Sequence, residues 1–300
     1  MRESMSPDPI VNAFSIDVED YFHVEALASA IDRSQWDGLE YRAEGNTRRL
    51  LDLLAAEGVK ATFFVLGWVA KRSPGLVRDI HAAGHEVACH GLSHQLVYSQ
   101  SPEVFEAETR EAKALLEDAT GVAVRGYRAA TYSITQRSLW ALDILERLGF
   151  VYDSSIFPVH HDLYGMPGSP RFPYRPGSGR LLEVPITTVE VAGQRLPCGG
   201  GGYFRLLPYA AFSAGLRRVN RRDGQAAVFY CHPWEVDPGQ PRVRTGWKST
   251  FRHYTNLSRM ESRLRRLLRE FRWDRMDRVF LAEGRTSAAW PATLLRPAAS

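Results

Sequence analysis

Ala61–His94, ATFFVLGWVAKRSPGLVRDIHAAGHEVACHGLSH, decides how this chain folds. Ala61–Leu66 is a short continuous apolar run, with the length and aromatic content of a buried strand. Pro74–Ala83 follows as a helix, and Gly84 closes it. His85–Ala88 is the next strand, and it runs straight into His90. Strand, helix and strand in this order form a parallel crossover unit.

The same alternation continues on both sides. Ala13–Val18 reads as a buried strand, and Thr47–Glu57 as a leucine-spaced helix stopped by Gly58. Pro102–Thr120 is a helix with Ser101 as its N-cap, and Val124–Tyr127 is strand-like. Ser138–Leu148 is a helix ended by Gly149, and Phe150–Asp153 is a strand. Strands alternating with helices of this length imply a parallel sheet with crossover helices, hence an α/β fold. From Ile156 the texture changes, with frequent Pro and Gly as far as Gly202. Leu181–Val191 looks like a strand pair, and Cys198–Gly202 like a flexible loop. Pro208–Arg218 reads as a helix, Ala226–Cys231 as a buried strand and Pro233–Arg252 as loop. Ser258–Phe271 is an amphipathic closing helix. The expectation is one barrel-like domain over residues 12–285, elaborated from 156 to 285, with flexible tails at 1–11 and 286–300.

Composition excludes several classes. Hydrophobic residues make up 44% and charged residues 24%, the balance of a globular chain with a real core. No run of about 18 apolar residues implies a membrane span, and residues 1–9 do not read as a signal peptide. The three cysteines, Cys89, Cys198 and Cys231, are widely spread, which argues against a disulfide scaffold and for a reducing cytoplasm. Net charge is +4, with arginines clustered at 217–222 and 263–272. No nucleic-acid motif accompanies them; a solvated face or an acidic surface such as the inner membrane face is the alternative.

Polar residues with chemical potential follow the predicted strands one after another. Asp17, Glu19 and Asp20 end the first, His90 and His94 follow the third, and Arg128, Asp153 and His232 end or follow later ones. In barrels of alternating strands and helices the active site lies at the C-terminal ends of the strands. Two histidines four apart can aim two imidazoles at one divalent ion, zinc foremost, with cobalt or nickel also suited. A carboxylate from the first strand completes the set. Asp17 and Glu19 share a strand face and Asp20 points opposite, but a turn at Glu19 swings Asp20 inward, so both Glu19 and Asp20 are candidate ligands. Asp17 is then a base, Arg128 its orienting cation and His232 a general acid. Cys89 and Cys231 alternate away from the site and read as buried and inert. His23 reads as a neighbour of the ligands, and the adjacent His160 and His161 as part of a groove loop. Trp234, Tyr132 and Trp247 read as aromatic lining.

These landmarks, SIDVED (15–20), HGLSH (90–94), YRAATYS (127–133), YDSS (152–155) and FYCHPWE (229–235), resemble those of the NodB-like polysaccharide deacetylases, carbohydrate esterase family four. GGGYFRLLPY (200–209), HPWEVDP (232–238) and HYTNL (253–257) are similar to the branch linked to exopolysaccharide operons of the PEP-CTERM/exosortase type. The resemblance implies a distorted (β/α) barrel of about seven strands and hydrolysis of N-acetyl groups from N-acetylhexosamine units of a glycan or its lipid-linked precursor. It implies Asp17 as base, His90 and His94 as metal ligands, Arg128 as orienting arginine and His232 as acid. The chain departs from the family pattern at Val18, which separates two usually adjacent acids, at Ala129-Ala130 where two prolines are usual, and at Gly91. The spaced first motif also resembles relatives that open cyclic imides or ureides. A catalytically inactive sugar-binding relative is the third reading.

Overall fold

The apolar run that opens the chain becomes β1 (Val11–Val18), the hub of the sheet. Its residues from Asn12 onward are buried on both faces, as in a parallel sheet covered by helices. The computed structural model describes residues 10–161, 163–177, 179–282 and 288–290. From one edge the order is β10 (Val228–Cys231), β1, β2 (Thr62–Val65), β3 (Glu86–Cys89), β4 (Gly126–Tyr127), β5 (Tyr152–Asp153) and β7 (Leu182–Glu183), every neighbour parallel. These strands curl into an open, distorted (β/α) barrel, the α/β fold expected from the alternation. β6 (Tyr174–Pro176) continues it antiparallel to β7, and β12 (Ala288–Trp290) pairs with β6. β11 (Arg272–Asp274) pairs with the start of β1. β8 (Thr188–Val191) and β9 (Gln194–Pro197) form a separate hairpin.

The crossovers are α1 (Ala43–Ala56), α2 (Gly67–Arg72), α3 (Pro74–Ala82), α4 (Pro102–Thr120) and α5 (Trp140–Arg147). Their leucines and alanines meet the outer face of the sheet: Leu50, Leu54, Leu76, Ile80, Leu116 and Leu145 join Phe14, Ile16, Phe63 and Val87 in one core. Cys89 and Cys231 belong to this layer, turned away from the site as alternation requires. α6 (Gly201–Leu206), α7 (Tyr209–Arg221), α8 (Trp247–Tyr254), α9 (Leu257–Glu270) and α10 (Met276–Phe280) complete the second half.

Three expectations need correction. The glycine run is not a flexible loop: Gly200 bridges to Tyr230 of β10, and Gly201 begins α6. Its glycines are there for close approach. A Cβ at Gly200 would meet the Tyr230 hydroxyl at 2.6 Å, and one at Gly201 would collide with the Glu235 carboxylate. The stretch 233–252 is not all loop, since it holds a helical turn at Pro233–Val236 and most of α8. Residue 11 and residues 288–290, read as tail, lie in β1 and β12; residues 1–9, 286–287 and 291–300 of the proposed tails lie outside the described residues. No helix among the described residues is long and apolar enough to cross a membrane.

Candidate metal and active site

Sheet register assembles the site. Val18 sits beside Val65, Val65 beside Cys89, Cys89 beside Tyr127 and Tyr127 beside Asp153, while Ile16 pairs with Cys231. The next residue along β1, β3, β4 and β10 is therefore Glu19, His90, Arg128 and His232, all at one end of the sheet. That end opens on a cavity of about 180 Å³ lined by Asp17, Glu19, His90, His94, His232 and Trp234 among others.

Glu19, His90 and His94 are buried, and their ligand atoms all lie within 4.8 Å of one another. His90 Nδ1 is 2.8 Å from the carbonyl oxygen of Arg128. That oxygen only accepts, so Nδ1 carries the proton and Nε2 faces the cluster as a bare lone pair. Burial lowers the His90 pKa to about 4, against the pull of Asp17, which keeps the imidazole neutral. Glu19 Oε2 stands 2.6 Å from His94 Nε2 without the geometry of a hydrogen bond, and has no hydrogen-bond partner in a buried setting. Burial alone would raise the Glu19 pKa, but His94, His232 and His90 hold it well below the usual carboxylate range. An anionic oxygen with an unmet lone pair beside two imidazole nitrogens suits a divalent cation with one carboxylate and two histidines. The pair does not sit on a helix: His90–His94 is a bend in which Gly91 (φ 76°) and His94 (φ 52°) take left-handed backbone. Gly91 thus answers a conformational demand that a side chain meets poorly.

Asp20 is not in this cluster. Its Oδ2 accepts from the backbone N–H of Arg42 (2.6 Å) and Ala43 (2.7 Å), and its Oδ1 from Tyr21 (2.8 Å). The chain turns after Glu19, but the turn carries Asp20 outward to the start of α1. His23 donates nothing to the cluster either; its Nδ1 accepts the Asp20 N–H at 2.8 Å.

Asp17 lies one step deeper, buried to 2% exposure. Arg128 Nη1 donates to its Oδ1 at 2.6 Å and to Ser15 Oγ at 2.9 Å, while Nη2 and Nε reach Ser154. The guanidinium lies over the Phe64 ring at 4.0 Å, so its plane is fixed on every side. His232 stands beside the two acids, its Nε2 3.6 Å from Glu19 Oε1 and 3.9 Å from Asp17 Oδ2. Asp153 is not in the cavity; its Oδ1 accepts from Ser155 Oγ at 2.5 Å, and Ser155 Oγ accepts from the Ala129 N–H.

Two residues escaped the sequence reading. Glu235 Oε2 is 3.1 Å from His232 Nδ1, and Arg205 Nε donates to Glu235 Oε1 at 2.8 Å. Arg205 is 1% exposed and also donates to the carbonyl oxygens of Arg252, His253 and Thr255. Burial disfavours a charged His232, but Glu19, Glu235 and Asp17 outweigh it and raise its pKa to about 9. The signal for Glu235 was present, since one helical turn brings residue 235 back to 232; nothing in sequence pointed to Arg205. Of the proposed aromatic lining, Trp234 and Tyr132 face the cavity, whereas Trp247 is 76% exposed on α8 and does not.

Residues 34–152 match the family model "Polysaccharide deacetylase", and residues 154–281 match "Domain of unknown function (DUF3473)". A chitooligosaccharide deacetylase from Rhizobium leguminosarum bv. trifolii is 33% identical over 144 residues, 48% of this chain and 60% of that protein. A second, from Sinorhizobium fredii, is 31% identical over 144 residues, 48% of this chain and 61% of that one. The chain thus spans about 60% of the length of the curated relatives it matches. Among solved structures, a Mycobacterium smegmatis protein assigned as a polysaccharide deacetylase superposes with a TM-score of 0.55 at 22% identity, covering 88% of this chain and 92% of that one. A CE4 family pseudoenzyme from Bacillus anthracis superposes at 0.50 with 15% identity, covering 95% and 71%. The fold is shared with both, and residues 34–152 are similar to the polysaccharide deacetylase family.

Proposed function

We propose that the chain is a metal-dependent N-deacetylase acting on N-acetylhexosamine units of a bacterial exopolysaccharide or its lipid-linked precursor, in the branch linked to PEP-CTERM/exosortase operons. One observation carries the reading: Glu19, His90 and His94 converge in a cavity that Asp17 and His232 also line, with His232 Nε2 3.9 Å from Asp17 Oδ2. A divalent ion on the three ligands, zinc or else cobalt or nickel, supplies Lewis acidity to the acetyl carbonyl. Asp17 takes the proton of the attacking water on its Oδ2, the oxygen that Arg128 leaves uncovered. Arg128 holds that carboxylate in one orientation. His232, protonated on Nε2, lines the same cavity and delivers a proton to the departing amine. Glu235 fixes the His232 ring through Nδ1, and Arg205 fixes Glu235. Atoms balance: water's oxygen and one of its protons leave as acetic acid, the amine leaves with the proton from His232, and the proton taken by Asp17 restores His232 for the next turnover.

Metal analysis of purified protein together with acetate release from acetylated glycan oligomers tests this reading. Asp17→Asn should abolish acetate release while leaving metal content nearly intact; undiminished release would remove Asp17 from the mechanism. Acetylated sugars assayed beside cyclic imides and ureides separate deacetylation from ring opening, the alternative suggested by the Asp17-Val18-Glu19 spacing. Absence of both bound metal and turnover would favour an inactive sugar-binding protein. Part of the same proposal is that the glycan is met in the cytoplasm, at the inner membrane face. Salt-sensitive binding to anionic vesicles is the expected result, and no binding at low salt would count against it.

A further inference from the structure

α8 (Trp247–Tyr254) turns its aromatic side outward. Trp247 is 76% exposed and Phe251 56%, more than any other large hydrophobic residue among those described. They lie four apart, and so on one face of the helix. His253 is the buried residue of the helix. Single exposed apolar residues are ordinary, but two aromatic rings side by side on one helix are a patch. The proposed chemistry makes no use of either ring.

The charge around this patch has one sign. From Pro238 to Met260 the chain carries no Asp or Glu, but it carries Arg242, Arg244, Lys248, Arg252 and Arg259. All five bases are exposed, and none forms an ion pair among the described residues. Lys248 and Arg252 directly follow Trp247 and Phe251, so a stripe of cations lies beside the stripe of rings. α9 is the opposite case: Arg265 and Arg269 pair with Glu57 and Arg266 with Glu270, which neutralises its charge inside the fold. Arg218, Arg221 and Arg222 close α7 without such pairs, but both aromatic residues of that helix, Tyr209 and Phe212, are buried. Exposed rings flanked by unmatched bases are the composition of a helix that lies in a bilayer interface. Aromatic rings settle at headgroup depth there, and Lys and Arg meet anionic lipid. Single-stranded nucleic acid instead needs a charged groove, and a ring 76% exposed stands clear of any groove. An acidic protein surface would match the bases but set charge against the rings. α8 also lends Arg252 and His253 to the wall of a cavity that His232 lines, so docking through α8 holds that cavity about one helix diameter from the headgroups.

We propose that α8 is an interfacial docking helix: Trp247 and Phe251 enter the headgroup layer of an anionic bilayer, and Arg242, Arg244 and Lys248 bind its phosphates. This rests on the proposed meeting with glycan at the inner membrane face and gives that meeting a surface; it does not depend on the chemistry at Glu19, His90 and His94. Full-length protein is floated with vesicles of phosphatidylglycerol and phosphatidylcholine in equal parts, and with phosphatidylcholine alone. Each cation at an anionic surface is worth roughly fivefold, so the mixed vesicles should bind on the order of 100-fold tighter. Trp247→Ser/Phe251→Ser should weaken binding on the order of tenfold or more at any salt concentration. Arg244→Gln/Lys248→Gln should weaken it about 20-fold at low salt and less at high salt. Arg218→Gln/Arg221→Gln/Arg222→Gln should bind like wild type. Brominated lipid chains should quench tryptophan emission in wild type and much less in Trp247→Phe, which still binds. The aromatic double variant should keep the wild-type melting temperature and acetate release from soluble oligomers. Wild type that floats with neither vesicle, binding undiminished in both α8 double variants, or equal quenching in Trp247→Phe overturns the docking helix. Binding to DNA in place of vesicles overturns it as well. Docking that persists while no oligomer yields acetate would instead sink the deacetylase reading and leave the docking helix standing.

Discussion

Glu235 shows how one side chain links stability to chemistry. Its pKa would rise on burial, but Arg205 and His232 bring it down to about 2 from an ordinary value of 4.5. The folded value lies below the unfolded one, so the stabilisation is fully present above pH 4.5 and is lost as pH falls from there toward 2. A shift of that size corresponds to ~3 kcal/mol. Glu235→Gln is therefore expected to be less stable than wild type near neutrality, with the gap closing as pH falls from 4.5 toward about 2 in urea titrations. A gap independent of pH would mean that the Arg205–Glu235 tie is not ionic. The same variant should lower kcat by roughly 10- to 100-fold with little change in KM, because the general acid loses its anchor while the cavity keeps its shape.

At the scale of elements, two neighbouring carboxylates do opposite work. Glu19 ends β1 facing the histidine pair, and Asp20 clasps the N-terminus of α1. Glu19→Ala should empty the metal site, read by elemental analysis, with a smaller effect on stability. Asp20→Ala should keep the metal and lose about 2 kcal/mol or more, since three backbone N–H groups lose their acceptor. Equal metal loss in both would argue that the α1 clasp and the ligand set are one unit. α6 is held to β10 by glycine contacts, so Gly201→Ala must displace the Glu235 carboxylate. It should reproduce much of the Glu235→Gln loss in kcat without removing any titratable group.

Across the whole molecule, the two family-matched segments share one sheet. The segment 34–152 contains β2 to β5, while β1 precedes it and β7 and β10 follow it. Asp17 and Glu19 therefore lie before that segment and His232 after it, and β10 pairs with β1 along Ala13–Ile16. Residues 12–285 are expected to unfold in one transition by both circular dichroism and tryptophan fluorescence; two separated transitions would divide the chain near 153. A chain ending at 153 should not fold, because the hub strand loses its β10 neighbour. The arginine clusters also look different at this scale. Arg265 and Arg269 bind Glu57, Arg266 binds Glu270, and Arg263 donates to the carbonyl oxygens of Phe204, Arg205 and Leu207. Much of the α9 charge that suggested an acidic partner is already matched within the fold.

The strand–helix alternation and the polar residue after each strand were legible because both are local. A strand's apolar run and a helix's leucine spacing are written in consecutive residues, and parallel register then lines up the strand ends. Hence Asp17, His90, His94, Arg128 and His232 could be named together before any contact was known. The short β6, β9 and β11 were not legible, since their polar, partly exposed residues form no apolar run that stands out from loop. Neither was α8, whose exposed Trp247 and Phe251 break the expected polar outer face. The choice between Glu19 and Asp20 lay beyond the sequence for a different reason. Alternation favoured Glu19, but whether the turn brought Asp20 back depended on which acceptor the first N–H groups of α1 would find. Glu235 and Arg205 were decided in the same way: a buried charge must find its partner in three dimensions, and only the packing of α6 against β10 supplied one.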